Sequence, residues 1–140
     1  MGQTARIMKR KKRGRSPVSK EVKYNIFVYG TLMRGERAHS FLAGAKYLGE
    51  YCLKDYALYN LGRYPGIRPL AGGTVYGEVY EIDAGMLPEM DAYEGEGNLY
   101  FRTELTAGNE NGTIKALAYV YAHEVAGRRI EGGNWKTRKT

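Results

Sequence analysis

At 140 residues the chain suffices for one domain with a hydrophobic core and no covalent staples. A single cysteine, Cys52, excludes an internal disulfide framework and points to a reducing compartment, hence a cytoplasmic protein. The net charge of +7 is concentrated at one end: residues 1–23 carry nine Lys or Arg and one acid, while the other 117 residues hold 13 bases against 14 acids.

Residues 1–22 contain the run Lys9–Arg13 and almost nothing apolar, so a disordered basic tail is expected, followed by one domain over residues 23–140. Such a tail can serve as an electrostatic handle for nucleic acid or simply be solvated. The run lacks aromatics to stack on bases, so no nucleic-acid partner is expected beyond weak contacts through the tail. No apolar run is long enough for a membrane span, and no apolar segment follows the N-terminal charges, so no membrane partner or secretory signal is expected. The start, MGQTAR, has Arg6 where a myristoylation signal requires Ser or Thr.

Ile26–Val28 reads as a short buried strand that stops at Gly30. Backbone N–H groups released where a strand breaks at glycine can hold a carboxylate or an oxyanion. An ordinary strand-to-helix turn is the alternative. Glu36–Ala43 is compatible with a helix, with Phe41 and Leu42 on its apolar side and Gly44 as its stop. Lys46–Leu53 and Ala57–Asn60 read as two strands around a turn at Lys54-Asp55. The prolines and glycines of Leu61–Pro69 argue against a regular element. Thr74–Ile82 alternates with a period of two.

Asp83–Tyr93 reads as a helix with Met86, Leu87, Met90 and Tyr93 facing inward, and Pro88 fits only in its first turn. Leu99–Ala107 and Ile114–Ala122 form a hairpin through a loop bounded by Gly108 and Gly112. In the polar C-terminal segment Trp135 is expected to pack back onto the domain. Several strands with two short helices predict an α+β fold with a mixed, closed or nearly closed sheet.

The chemistry-bearing residues are few. His39 and His123 have no Cys or acidic partner at a metal-ligand spacing, and no phosphate-cradling loop or strained serine elbow is present, so no metal or nucleotide cofactor is supported. What remains is Glu94. If Met90 and Tyr93 face the core, the next residue, about 100° further round the helix, sits at the core's edge. A glutamate held there has its ionised form disfavoured, which suits a proton carrier. A solvated helix-end acid is the other reading.

In this order the chain resembles the γ-glutamylcyclotransferase-like family, especially the γ-glutamylamine cyclotransferase branch and its bacterial relatives. The resemblance rests on Phe27-Val28-Tyr29-Gly30-Thr31-Leu32 with Arg34-Gly35, on Leu58-Tyr59 with Tyr64-Pro65-Gly66, and on Gly77-Glu78-Val79-Tyr80. It continues through Met90-Asp91 and Glu94, Tyr100 with Arg102, Tyr119-Val120-Tyr121, and the terminal Gly133-Asn134-Trp135.

The resemblance implies a small, mixed but mostly antiparallel β-barrel with flanking short helices. It implies a cavity between the loop and the acid-bearing helix, with Glu94 moving the proton and Tyr29, Gly30, Thr31 and Leu32 holding the glutamyl group through their backbone. The reaction it implies turns a small-molecule γ-glutamyl substrate into 5-oxoproline and a free amine without a cofactor. Tyr64, Pro65 and Tyr100 are candidate pocket walls, with plain packing as the alternative. A non-catalytic domain of the same fold, binding a small carboxylate or acting as a regulatory module, is the rival reading. Ala38-His39 stands where the amine-releasing enzymes carry Pro-Asn, so substrate preference does not transfer. Arg102 reads as an exposed strand arginine.

Overall fold

The computed structural model describes residues 22–125 and 128–138, so the tail expected over residues 1–22 lies outside the described residues apart from exposed Val22. Strand β1 (Lys23–Val28) buries three consecutive side chains, Ile26, Phe27 and Val28, because it runs between two neighbours and is covered on both faces. It pairs antiparallel with β3 (Pro65–Asp83) and parallel with β5 (Gly112–Tyr121), the latter at Ile26–Leu117.

Strand β5 forms a hairpin with β4 (Tyr100–Asn109) through Glu110-Asn111, and β2 (Lys46–Asn60) pairs with β3 along almost its whole length. The order β3-β1-β5-β4-β2 returns to β3, and the two-residue β6 (Arg129–Ile130) adds to β2. The ring is complete but uneven: β2 and β4 share only the register pair Cys52–Gly108. The fold is therefore a mixed, mostly antiparallel α+β ring with short helices beside it. Leu58, Ile67, Val75, Val79, Ile82, Ala107 and Ala118 are fully or almost fully buried in its core. Trp135, 2% exposed, closes the core from the C-terminal segment.

Three expected elements differ. Lys46–Leu53 and Ala57–Asn60 are one 15-residue strand, and the turn expected between them is a bulge between Lys54 and Tyr56. Asp55 takes φ 67° there, and its Oδ1 accepts the Gly72 N–H at 2.9 Å, a cross-strand bond that local sequence does not reveal. Leu61–Pro69 is not irregular throughout, since β3 begins at Pro65. Pro65 and Pro69 oppose Asn60 and Tyr56 at the same parity of the ladder, so their missing N–H groups face one side, where this end of β3 has no register partner among the described residues.

Glu36–Ala43 is a series of turns ending in a 3-10 turn over His39–Leu42 rather than a helix. Ala38 supplies no side-chain cap, and the His39 ring bonds back to the Leu32 carbonyl at 2.9 Å. The later helix behaves as Pro88 requires. A 3-10 turn spans Ala84–Met86, and α1 (Leu87–Glu94) follows with Pro88 in its first turn. Among the described residues no helix is long and apolar enough to cross a membrane.

Candidate active site

Helix α1 is held by Leu87 and Met90, both buried, and is stopped by Gly95 at φ 69°, whose N–H bonds the carbonyls of Ala92 and Asp91. That left-handed cap makes Glu94 the last helical residue. Tyr93 is not the core residue its spacing suggests. It is 38% exposed, with its hydroxyl 2.8 Å from Thr31 Oγ1 and its ring against Phe41.

Facing the helix end is the segment that leaves β1. Tyr29, Thr31 and Leu32 are buried, and two turns fold the chain back, with Met33 N–H on the Gly30 carbonyl at 3.0 Å and Ala38 N–H on the Thr31 carbonyl at 2.9 Å. Among the described residues the N–H groups of Gly30, Thr31 and Leu32 donate to no backbone or side-chain acceptor. Gly30 has no room for a side chain, since a Cβ there would lie 2.2 Å from Pro65 Cγ. Behind the loop, buried Glu78 accepts the Arg34 N–H and the Tyr80 hydroxyl, each at 3.0 Å, and pairs with Lys136.

Between loop and helix lies a cavity of about 480 Å³. Glu94, Tyr29, Gly30, Thr31, Leu32, Tyr64, Pro65 and Tyr100, the residues named from sequence, all border it. Tyr64 stands at the mouth, whereas Pro65 and Tyr100 are buried, and the Tyr100 hydroxyl donates to the Pro65 carbonyl at 2.6 Å.

The electrostatics follow from where the phenols point. Tyr29 donates to the Tyr119 carbonyl at 2.6 Å, Tyr100 to Pro65, and Tyr119 to Asp91 Oδ1 at 2.7 Å. The hydrogens of Tyr29, Tyr100 and Tyr119 are thus engaged elsewhere, and Glu94 receives no side-chain hydrogen bond among the described residues. Burial alone pushes its carboxyl from 4.5 up to about 7. Burial, followed by the Glu94 charge, raises Tyr29 and Tyr100 well above the usual phenol range. Burial and then the bond to Asp91 do the same for Tyr119. The phenols stay neutral while Glu94 can exist in either form near neutrality.

Sequence reasoning assigned no site role to Arg37, Arg63, Leu99 and Tyr119 on the cavity wall, or to Asp91 behind it, although Asp91 and Tyr119 are among the residues that carry the family resemblance. Asp91 also carried a local signal, lying one helical turn before Glu94. Arg102 is not an exposed strand arginine. It is partly buried and ion-paired with Asp91 Oδ2. Among the described residues no three His, Cys, Asp or Glu side chains converge as metal ligands would.

A family model described as "Gamma-glutamyl cyclotransferase, AIG2-like" matches residues 26–137. The gamma-glutamylcyclotransferase family protein ytfP of Citrobacter rodentium is 42% identical over 114 residues, which is 81% of this chain and 96% of that protein. The gamma-L-glutamyl-butirosin B gamma-glutamyl cyclotransferase of Niallia circulans is 36% identical over 104 residues, covering 69% of this chain and 66% of that protein. The solution NMR structure of ytfP from Escherichia coli superposes with a TM-score of 0.63 at 41% identity, covering 81% of this chain and 96% of that one.

Proposed function

The chain belongs to the gamma-glutamyl cyclotransferase, AIG2-like family, and from that premise we propose that it cleaves a γ-glutamyl amine or a related γ-glutamyl compound. The observation that carries this reading is the state of Glu94. It is a carboxyl poised near pH 7 on the wall of the cavity that the N–H groups of Gly30–Leu32, unbonded among the described residues, also border. A relative named for γ-L-glutamyl-butirosin B supports a γ-glutamyl compound as the substrate class.

In this proposal the α-amine of the substrate attacks its own γ-carbonyl carbon, forming the ring C–N bond of 5-oxoproline. Glu94 takes a proton from the attacking nitrogen and returns it to the leaving nitrogen as the amide C–N bond breaks. The N–H groups of the loop receive the α-carboxylate or the developing oxyanion. Tyr64, Pro65 and Tyr100 wall the pocket. No nucleophile or cofactor is needed from the protein, because ring closure is intramolecular. Holding the near-attack geometry contributes roughly 7–11 kcal/mol, and the proton transfer about 10²–10⁴-fold. A carboxyl with a pKa near the operating pH can both accept and donate, as the two half-steps require. With one cysteine in 140 residues, we assign the protein to the reducing environment of the cytoplasm.

Incubation with γ-glutamyl-lysine, followed by detection of 5-oxoproline and free lysine, tests the reading. Glu94→Gln keeps the shape of the side chain but cannot accept the proton, so turnover should fall by about 10²-fold or more. A fully active Glu94→Gln variant would refute the role assigned to this residue.

A further inference from the structure

Besides Glu94, the charged side chains on the cavity wall are Arg37 and Arg63. Both are exposed, as are their fellow lining residues Tyr64 and Leu99, so they mark the mouth. Buried Tyr29, Tyr100 and Tyr119 mark the interior with Glu94. Arg37 Nη2 donates to the Arg63 carbonyl at 2.7 Å, which ties the loop after β1 to the loop before β3. Among the described residues neither guanidinium has a carboxylate partner. Two like charges on one rim without an acid are relieved by an anion bound between them, and guanidinium forks suit carboxylates.

Building on the cyclotransfer reading above, we propose that Arg37 and Arg63 form an anion subsite at the mouth that selects γ-glutamyl compounds whose leaving amine carries a carboxylate. The α-carboxylate of the glutamyl part is the other anion on offer. It is attached to the same carbon as the attacking amine, so it enters the interior with the group that Glu94 must reach. An arginine holding it would stand close to Glu94, and an opposite charge within about 4–6 Å lowers a carboxyl's pKa. Arg37 and Arg63 are instead exposed at the mouth, whereas Glu94 lines the cavity with the buried phenols Tyr29, Tyr100 and Tyr119. The arginines therefore lie away from the proton-transfer end and face the part of the substrate that projects toward solvent.

γ-Glutamylglycine and γ-glutamylmethylamide separate the two anions, since they differ only in the carboxylate of the leaving part. In the intact protein kcat/KM should favour γ-glutamylglycine. The Arg37→Gln/Arg63→Gln double variant should lower the ratio of the two kcat/KM values about tenfold, the scale of a lost charged hydrogen bond near the surface. Arg63→Gln alone keeps the carbonyl that Arg37 bonds and should lower the ratio in the same direction. Turnover of both compounds with an unchanged ratio would overturn this inference alone. An equal loss for both compounds would do so too, by assigning the arginines to the shared glutamyl part. If neither compound yields 5-oxoproline, the cyclotransferase reading falls and this inference with it.

Discussion

The hydroxyl of Tyr119 donates to Oδ1 of Asp91 at 2.7 Å, and Asp91 stands one helical turn before Glu94. The other carboxylate oxygen holds Arg102, the direct cross-strand neighbour of Tyr119. One carboxylate thus fastens α1 to two adjacent strands beside the cavity. Asp91→Asn keeps an acceptor but loses the charge that holds Arg102. Equilibrium unfolding should show a loss of about 1–2 kcal/mol, the scale of a partly buried charged bond. If this clasp aims Glu94, kcat should fall more than KM rises, because the pocket walls remain. A variant with unaltered kcat would show that the clasp serves stability only.

The raised pKa of Glu94 has a consequence for folding. Between 4.5 and about 7 the folded state binds the proton that the unfolded chain has released. Stability from this site is therefore full below pH 4.5, declines as pH rises, and is gone above pH 7, a loss of up to about 3 kcal/mol. Glu94→Gln removes the ionisable group. Urea unfolding should find that variant more stable than the parent at pH 8 and little different at pH 4. Equal differences at both pH values would mean that the carboxyl is not desolvated.

Gly30→Ala tests the contact between loop and wall. The new methyl would sit 2.2 Å from Cγ and 2.9 Å from Cδ of Pro65, a rigid ring already in the cavity wall. Either the loop or Pro65 must move, at a cost of about 1–3 kcal/mol, with turnover lost as the N–H groups shift. Gly132→Ala, where an added Cβ meets nothing within 4 Å, should stay within about 0.5 kcal/mol of the parent. Similar thermal midpoints for the two variants would show that the Gly30 site relaxes freely.

Several elements were legible because their signals are local. The buried run Ile26–Val28, the hairpin around Glu110-Asn111 and the start of a helix at Pro88 depend on residue type within a few positions. Of the residues quoted for the family resemblance, the run Phe27–Leu32 together with Tyr64, Pro65, Glu94, Tyr100 and Tyr119 falls around one cavity. What was not legible depends on partners far along the chain. β2 runs straight through Asp55 because Gly72, 17 residues away, bonds its side chain. β3 begins at Pro65 because β2 lies beside it to receive the proline-containing segment.

The sequence by itself determined that an acid ends an amphipathic helix, and that a glycine ends the first strand. Those facts need only helical periodicity and the missing Cβ of Gly30. Tertiary structure alone decided the ionisation of Glu94, through the burial of its carboxyl among phenols whose hydrogens are directed to Tyr119, Pro65 and Asp91. It also set Arg37 and Arg63 on one rim, since their shared bond joins loops that only the closing of the sheet brings together.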